Sequence, residues 1–140
     1  MNYLSRAIAL ASEAHKHQQD KQGAPYILHP LRVMMALRND GLAEVFQVVG
    51  VLHDIVEDTS VVIGEIQMDF GEVVARSVRA LTRVPGEDYL DHIRAMRKYP
   101  IAAEVKKRDL ADNADFRRFF HGVAYSKYAK AMGILLGQVE

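Results

Sequence analysis

Val48-Val49-Gly50-Val51-Leu52-His53-Asp54-Ile55-Val56-Glu57-Asp58-Thr59 carries more information than any other segment of this chain. From Leu42 to about Val56 the apolar density is that of a helix buried on most sides, as a central helix is. Four titratable residues are set into its end at i, i+1, i+4 and i+5. That spacing puts His53 above Glu57 and Asp54 above Asp58 on adjoining stripes that can face one cleft. Burying so many ionisable groups without partners costs several kcal/mol each, so a metal ion, a polar pocket or solvent has to compensate them. A histidine-aspartate pair alone fits a solvated helix end equally well. Its position directly behind an apolar run, where a solvated end sits poorly, favours the functional reading.

Outward from that helix the pattern stays helical. Towards the N-terminus, Leu4, Ala7, Ile8, Ala11 and Ala14 fall on one face of a first helix that runs to about Gln19. A loop, Asp20-Lys21-Gln22-Gly23-Ala24-Pro25, leads to Tyr26-Ile27-Leu28-His29-Pro30, and Pro30 suits the first turn of a second helix carrying Val33, Met34 and Leu37. Towards the C-terminus, Thr59 and Ser60 offer caps for a short helix, and Asp69-Phe70-Gly71 turns into another through Val73, Val74, Val78 and Leu81. Val84-Pro85-Gly86 breaks the pattern. Helices then follow over Tyr89–Arg97, from Pro100 to about Asp115, and over Tyr125–Leu136. No alternating strand pattern occurs. The expectation is an all-α helical bundle, a single domain over residues 1–140 with a central metal site.

Composition narrows the function. Eighteen basic residues balance eighteen acidic ones, which removes the positive field of a non-specific nucleic-acid binder, so no nucleic-acid partner is expected. The chain has no cysteine, which excludes disulfides, thiolate metal sites and a cysteine nucleophile. Imidazole and oxygen ligands remain. Arg6, Glu13 and His15 interrupt the apolar residues near Met1, and no apolar run reaches membrane-spanning length, so no membrane association and a cytoplasmic location are expected.

Two further stretches supply what a metal site at His53 and Asp54 lacks. His29 sits at a loop-to-helix junction held by Pro30, and Asp109 lies on a later helix within Val105-Lys106-Lys107-Arg108-Asp109-Leu110-Ala111-Asp112-Asn113. Two imidazoles and two carboxylates suit Mn²⁺, Fe²⁺ or another borderline divalent ion better than a closed structural zinc site, and they leave room for water and substrate. Mn²⁺ is favoured. His15, His17, His92 and His121 read as solvated or capping residues, because none has a carboxylate partner at helical spacing in an apolar setting. Met34, Met35 and Met96 read as core filler.

At these residues the sequence resembles the hydrolase domain of the RelA/SpoT stringent-response enzymes, and most closely the small single-domain alarmone hydrolases. The matching blocks are Gly23 to Pro30, Leu52 to Thr59, Asp69-Phe70-Gly71-Glu72 with Val74-Ala75, and Val105-Lys106 through Asp109 to Asn113, in family order over almost the whole chain. The resemblance implies that His29, His53, Asp54 and Asp109 bind one Mn²⁺, and that Glu57 and Asp58 orient or deprotonate the attacking water. It implies further that Asn113 contacts the ribose or 3′-phosphate side of a nucleotide, that Lys21 is a basic residue at the pocket mouth, and that Tyr26 lines that pocket. Lys127 or Tyr128, in a closing helix like that of the small hydrolases, is expected to reach substrate, a packing helix being the alternative. Lys106, Lys107 and Arg108 also offer charge near the site, below Lys21 in rank.

The implied reaction is removal of the 3′-pyrophosphate from guanosine tetra- or pentaphosphate, without synthesis. Asp20 stands where the family has an arginine that packs on the base. An aspartate cannot stack on a purine and repels phosphate, so adenosine 3′-pyrophosphates are expected beside guanosine ones. A broader nucleotide phosphohydrolase of the HD type, or a non-catalytic nucleotide-binding module, is the alternative.

Overall fold

The computed structural model describes residues 2–115 and 122–140, the latter segment with side chains from Lys127 onward. The architecture is all-α. Among the described residues nine helices occur: α1 Tyr3–Ala14, α2 Leu28–Asn39, α3 Glu44–Leu52, α4 Ile55–Asp58, α5 Ile63–Phe70, α6 Glu72–Leu81, α7 Tyr89–Met96, α8 Pro100–Asn113 and α9 Gly122–Leu135. None is long and apolar enough to cross a membrane.

Helix α3 is the hub. It packs against α1, α2, α6 and α8, and it is buried from Gln47 to Leu52, as its composition requires. Gly50 permits close approach to α2, because a Cβ there would stand 2.7 Å from Leu37 Cδ1. Helix α8 in turn packs against α2, α3, α6 and α9. Its inner face therefore meets the end of α3 and the start of α2, and those are the two places that carry His53 and His29.

Local chemistry shifts several predicted boundaries. The first helix ends at Ala14 rather than near Gln19. His15 leaves the helix with its N–H still bonded to Ala11 O, and the chain turns into a loop tied by an isolated Gln19–Pro25 bridge. Helix α2 begins at Leu28, two residues before Pro30, whose missing N–H falls among those that have no intrahelical partner in a first turn. The single helix predicted over Leu42–Val56 is broken at His53-Asp54, with Asp54 at φ −104° and ψ 0°, a bridge-region conformation frequent at functional residues. Thr59 closes α4 instead of capping α5: its hydroxyl donates to Ile55 O at 2.6 Å and accepts from Val61 N at 3.1 Å. Glu65 accepts the Val62 N–H at the start of α5. Between α5 and α6, Gly71 adopts φ +90°, which a side chain would resist.

Candidate metal centre

The break between α3 and α4 turns two adjacent side chains into one recess. His53 is anchored by its Nδ1, which donates to Gly50 O at 2.7 Å one turn earlier, so Nε2 faces inward. There it stands 3.0 Å from Asp54 Oδ2 and 3.3 Å from Asp109 Oδ1, yet neither approach satisfies it as a hydrogen bond. His29, at the start of α2, brings its Nε2 to 2.8 Å from the same Asp109 oxygen and 3.7 Å from Asp54 Oδ2. One ligand atom from each of His29, His53, Asp54 and Asp109 lies within 4.8 Å of all the others. An orphaned imidazole nitrogen, the buried Asp109 carboxylate and the half-buried Asp54 carboxylate around one point fit a divalent cation, which would satisfy the nitrogen and neutralise the carboxylates.

Neighbouring groups fix the orientation of each side chain. The Tyr26 hydroxyl donates to Asp54 Oδ2. Lys106 Nζ donates to Asp109 Oδ2 at 2.7 Å, and Asn113 Nδ2 to Oδ1 at 3.2 Å. On the far side of His29, Nδ1 meets Asp112 Oδ2 at 2.7 Å, and Arg32 Nε donates to both Asp112 oxygens at 2.9 and 3.2 Å. A carboxylate behind a ligating imidazole makes Nδ1 the donor and leaves Nε2 for the metal.

The electrostatics agree with this picture. Burial works against charge on His53, but the Asp54 and Asp109 carboxylates outweigh it and hold its pKa well above the usual histidine value; His29 is raised by the same balance, with Asp109 and Asp112 prevailing. Asp109 is held well below the usual carboxylate range, its burial outweighed by Lys106 and the two histidines. Asp58 goes the other way. Burial, then the charges of Asp54 and Glu57, push its pKa up to about 6.

Residues 7–125 match the HD domain family. The chain belongs to that family. Among HD-domain relatives it is 33% identical over 135 residues to the guanosine-3′,5′-bis(diphosphate) 3′-pyrophosphohydrolase of Aquifex aeolicus, a match covering 91% of this chain and 19% of that protein. It is 38% identical over 91 residues to the guanosine-3′,5′-bis(diphosphate) 3′-pyrophosphohydrolase MESH1 of Danio rerio, covering 59% of this chain and 51% of that one. A GTP pyrophosphokinase of Streptomyces coelicolor is 30% identical over 139 residues, 93% of this chain and 16% of its own length. The chain thus spans about a fifth or less of the long relatives. A solved structure described as a metazoan ortholog of SpoT that hydrolyzes ppGpp and plays a role in starvation responses superposes with a TM-score of 0.79 over 99% of this chain and 85% of that chain, at 21% identity. The shared fold is the HD-domain bundle.

A cavity of about 250 Å³ opens on the His/Asp cluster of this HD domain. Tyr26, Glu57, Asp58, Asn113 and Lys127, named from sequence, all line it together with His29, Asp54 and Asp109. Glu57 is tethered there, its Oε1 accepting the Arg83 N–H at 2.8 Å. Lys21 is exposed on the loop and lies outside that lining, so the cation beside the cluster is Lys106. The i,i+3 spacing to Asp109 is the signal that could have placed Lys106 first. Asp20 does not reach for a base with its Oδ1, which accepts the backbone N–H groups of Gln22 and Ala24 at 2.8 and 3.0 Å and so shapes the loop.

Of the histidines read as solvated or capping, His15 does stand at the C-cap of α1, but it and His92 are buried. His15 is 1% exposed, with Nδ1 2.8 Å from Gln18 Oε1 and its ring 5.0 Å from that of Tyr26; burial pushes its pKa down. His92 is 5% exposed, lines the cavity, and has a carboxylate neighbour in Glu87 at 3.4 Å; burial lowers its pKa too. Their surroundings come from other elements, which helical spacing along α1 or α7 does not show. His121 lies outside the described residues.

Proposed function

We propose that residues 1–140 act as one Mn²⁺-dependent hydrolase domain that removes the 3′-pyrophosphate from purine nucleotides, guanosine and adenosine 3′-pyrophosphates being the substrates. The observation that carries this reading is the convergence of His29, His53, Asp54 and Asp109 on one point, with the unsatisfied Nε2 of His53 aimed into it. Two nitrogen and two oxygen donors suit Mn²⁺ or a similar borderline ion. The names of the relatives from Aquifex aeolicus and Danio rerio point to the same substrate class.

A divalent cation held there supplies Lewis acidity to a phosphoryl oxygen and lowers the proton affinity of water. The protein's own groups do the rest. Asp58, with a pKa of about 6, is ionised at neutral pH yet basic enough to take a proton from water at the cavity wall. Glu57, fixed by the Arg83 N–H, stands beside it and orients the same water. Asn113, bonded to Asp109, and Tyr26, bonded to Asp54, face the ribose side of the nucleotide from within the ligand shell. Lys106 and Lys127 meet the phosphates. A cytoplasmic place of action accords with a nucleotide substrate and a cysteine-free chain.

Purified protein is incubated with guanosine and adenosine 3′-pyrophosphates, with and without Mn²⁺, and pyrophosphate release is followed. Metal-dependent release from either nucleotide is the expected result. Hydrolysis of simple nucleoside monophosphates alone makes this a broader phosphohydrolase, and affinity for nucleotide without any product makes it a binding module.

A further inference from the structure

The carboxylate of Asp58 accepts no hydrogen bond and joins no ion pair among the described residues, whereas that of Glu57 beside it is tethered by the Arg83 N–H. Where the Asp58 carboxylate stands is therefore decided by the backbone that carries it, the last residue of the four-residue helix α4. A helix so short leaves most of its carbonyls without intrahelical partners. Thr59 takes up one of them, its N–H and its hydroxyl both donating to Ile55 O. The Asp58 carbonyl is taken up by a side chain 40 residues earlier in the chain: Gln18 Nε2, on the loop after α1, donates to it at 2.8 Å. Gln18 is itself held on its other sides. Its backbone N–H donates to His15 O at 2.9 Å, its O accepts the Tyr26 N–H at 2.9 Å, and its Oε1 lies 2.8 Å from His15 Nδ1. Because Nε2 of the amide serves Asp58, Oε1 is the acceptor towards His15, and Nδ1 of that ring is the donor. His15 Nε2 is buried with no partner. Burying a half-satisfied imidazole costs free energy that an apolar ring would not, and what the imidazole supplies at that place is the hold on Gln18.

Resting on the hydrolase reading above, we infer that Gln18, held by His15, is a positioning residue that ties the end of α4 to the loop after α1 and so keeps the Asp58 carboxylate at the cavity wall. Neither Gln18 nor His15 lines the cavity, so both act through Asp58. The same loop serves α4 at its two ends: Asp54, at the start, through the Tyr26 hydroxyl, and Asp58, at the end, through the Gln18 amide. The two holds differ in what a substitution at position 18 removes. Tyr26 is bonded to the Gln18 backbone, which a substitution keeps, whereas Asp58 is bonded to the side chain. Loss of that side chain frees the proton acceptor and leaves the metal cluster in place. Misplacing a reacting group by about 1 Å costs about a hundredfold in rate, so a tie of this kind is visible in turnover before it is visible in folding.

The test compares wild type with Gln18→Met, which keeps the length of the side chain and lacks both of its hydrogen bonds. Hydrogen exchange is followed at the Asp58 and Thr59 amides of metal-free protein, Mn²⁺ affinity by calorimetry, and hydrolysis of guanosine and adenosine 3′-pyrophosphates at steady state. The two amides, bonded to Asp54 O and Ile55 O, should exchange at least about tenfold faster in the variant. Its kcat should fall by about ten- to a hundredfold, while KM and Mn²⁺ affinity stay within about twofold of wild type. His15→Asn, whose amide keeps a donor near the place of Nδ1, should lie closer to wild type than His15→Leu in both exchange and kcat. Unchanged exchange at both amides, an unchanged kcat, or a loss of Mn²⁺ affinity in step with kcat overturns the inference. If wild type hydrolyses neither nucleotide the hydrolase reading fails, and exchange in α4 then upholds or overturns the tie to Gln18 by itself.

Discussion

At the scale of single residues, the candidate metal cluster owes its shape to groups outside it. Asp112 is the clearest case, because it holds His29 Nδ1 at 2.7 Å and is itself gripped by Arg32. Asp112→Asn keeps the shape and removes the charge, so Mn²⁺ affinity should fall by about ten- to a hundredfold, read by calorimetry. A variant that binds as tightly as wild type shows that Asp112 merely packs. Asp58 governs the acid side of the reaction. Its pKa of about 6 means that it is protonated, and unable to accept a proton, below that pH; activity should therefore fall as pH drops through about 6, and at lower pH still with a cation bound nearby. In Asp58→Asn the rate should drop by about a hundredfold or more and this limb should vanish from the pH profile. Persistence of the limb assigns it to another group.

At the scale of elements, the molecule depends on α3 meeting α2 closely enough to bring His53 beside His29. Gly50 sets that distance. Gly50→Ala should push Leu37 from its buried position and cost about 1–3 kcal/mol, seen as a lower thermal midpoint and weakened metal binding together. An unchanged midpoint means that α2 and α3 have slack. This element level is where sequence and structure part most. The apolar run from Val48 to Leu52 marked the buried helix correctly, but the break at His53-Asp54 escaped the reading, since apolar periodicity continues through Ile55 and Val56 as if the helix did. The end of α1 was missed for a similar reason: His15 to Gln19 contain no glycine or proline, and what stops the helix is the pairing of that loop with Pro25 and the side chains of Gln18 and His15. Both boundaries are set by tertiary partners rather than local propensity.

At the scale of the whole molecule, the four residues of the candidate metal cluster were legible for different reasons. His53 and Asp54 follow an apolar run, His29 is pinned before a proline, and Asp109, in a helix rich in charge, stood out through the resemblance to the RelA/SpoT hydrolases. Lys106 was ranked below Lys21, and Asp112 and Arg83 were not singled out, because each looks like an ordinary helix-surface or loop residue until α6, α8 and α9 enclose the cavity. The closed cluster also links stability to pH. His29 and His53 have folded pKa values raised above the unfolded one, so their contribution is full below about pH 6.5 and is lost as pH rises through the folded values. Metal-free protein should then melt at progressively lower temperature as pH rises above about 6.5, while Mn²⁺, which replaces those protons, should raise the midpoint more at high pH than at low. A metal-induced shift of the same size at every pH argues against histidine ligation.

The most direct measurement is a calorimetric titration of Mn²⁺ into metal-free protein at neutral pH, repeated on Asp109→Asn. A single site per chain, with protons released on binding and affinity abolished or reduced by orders of magnitude in the variant, is the expected result. No binding in the wild type, or equal binding in both proteins, would contradict the assignment of His29, His53, Asp54 and Asp109 as a common metal shell.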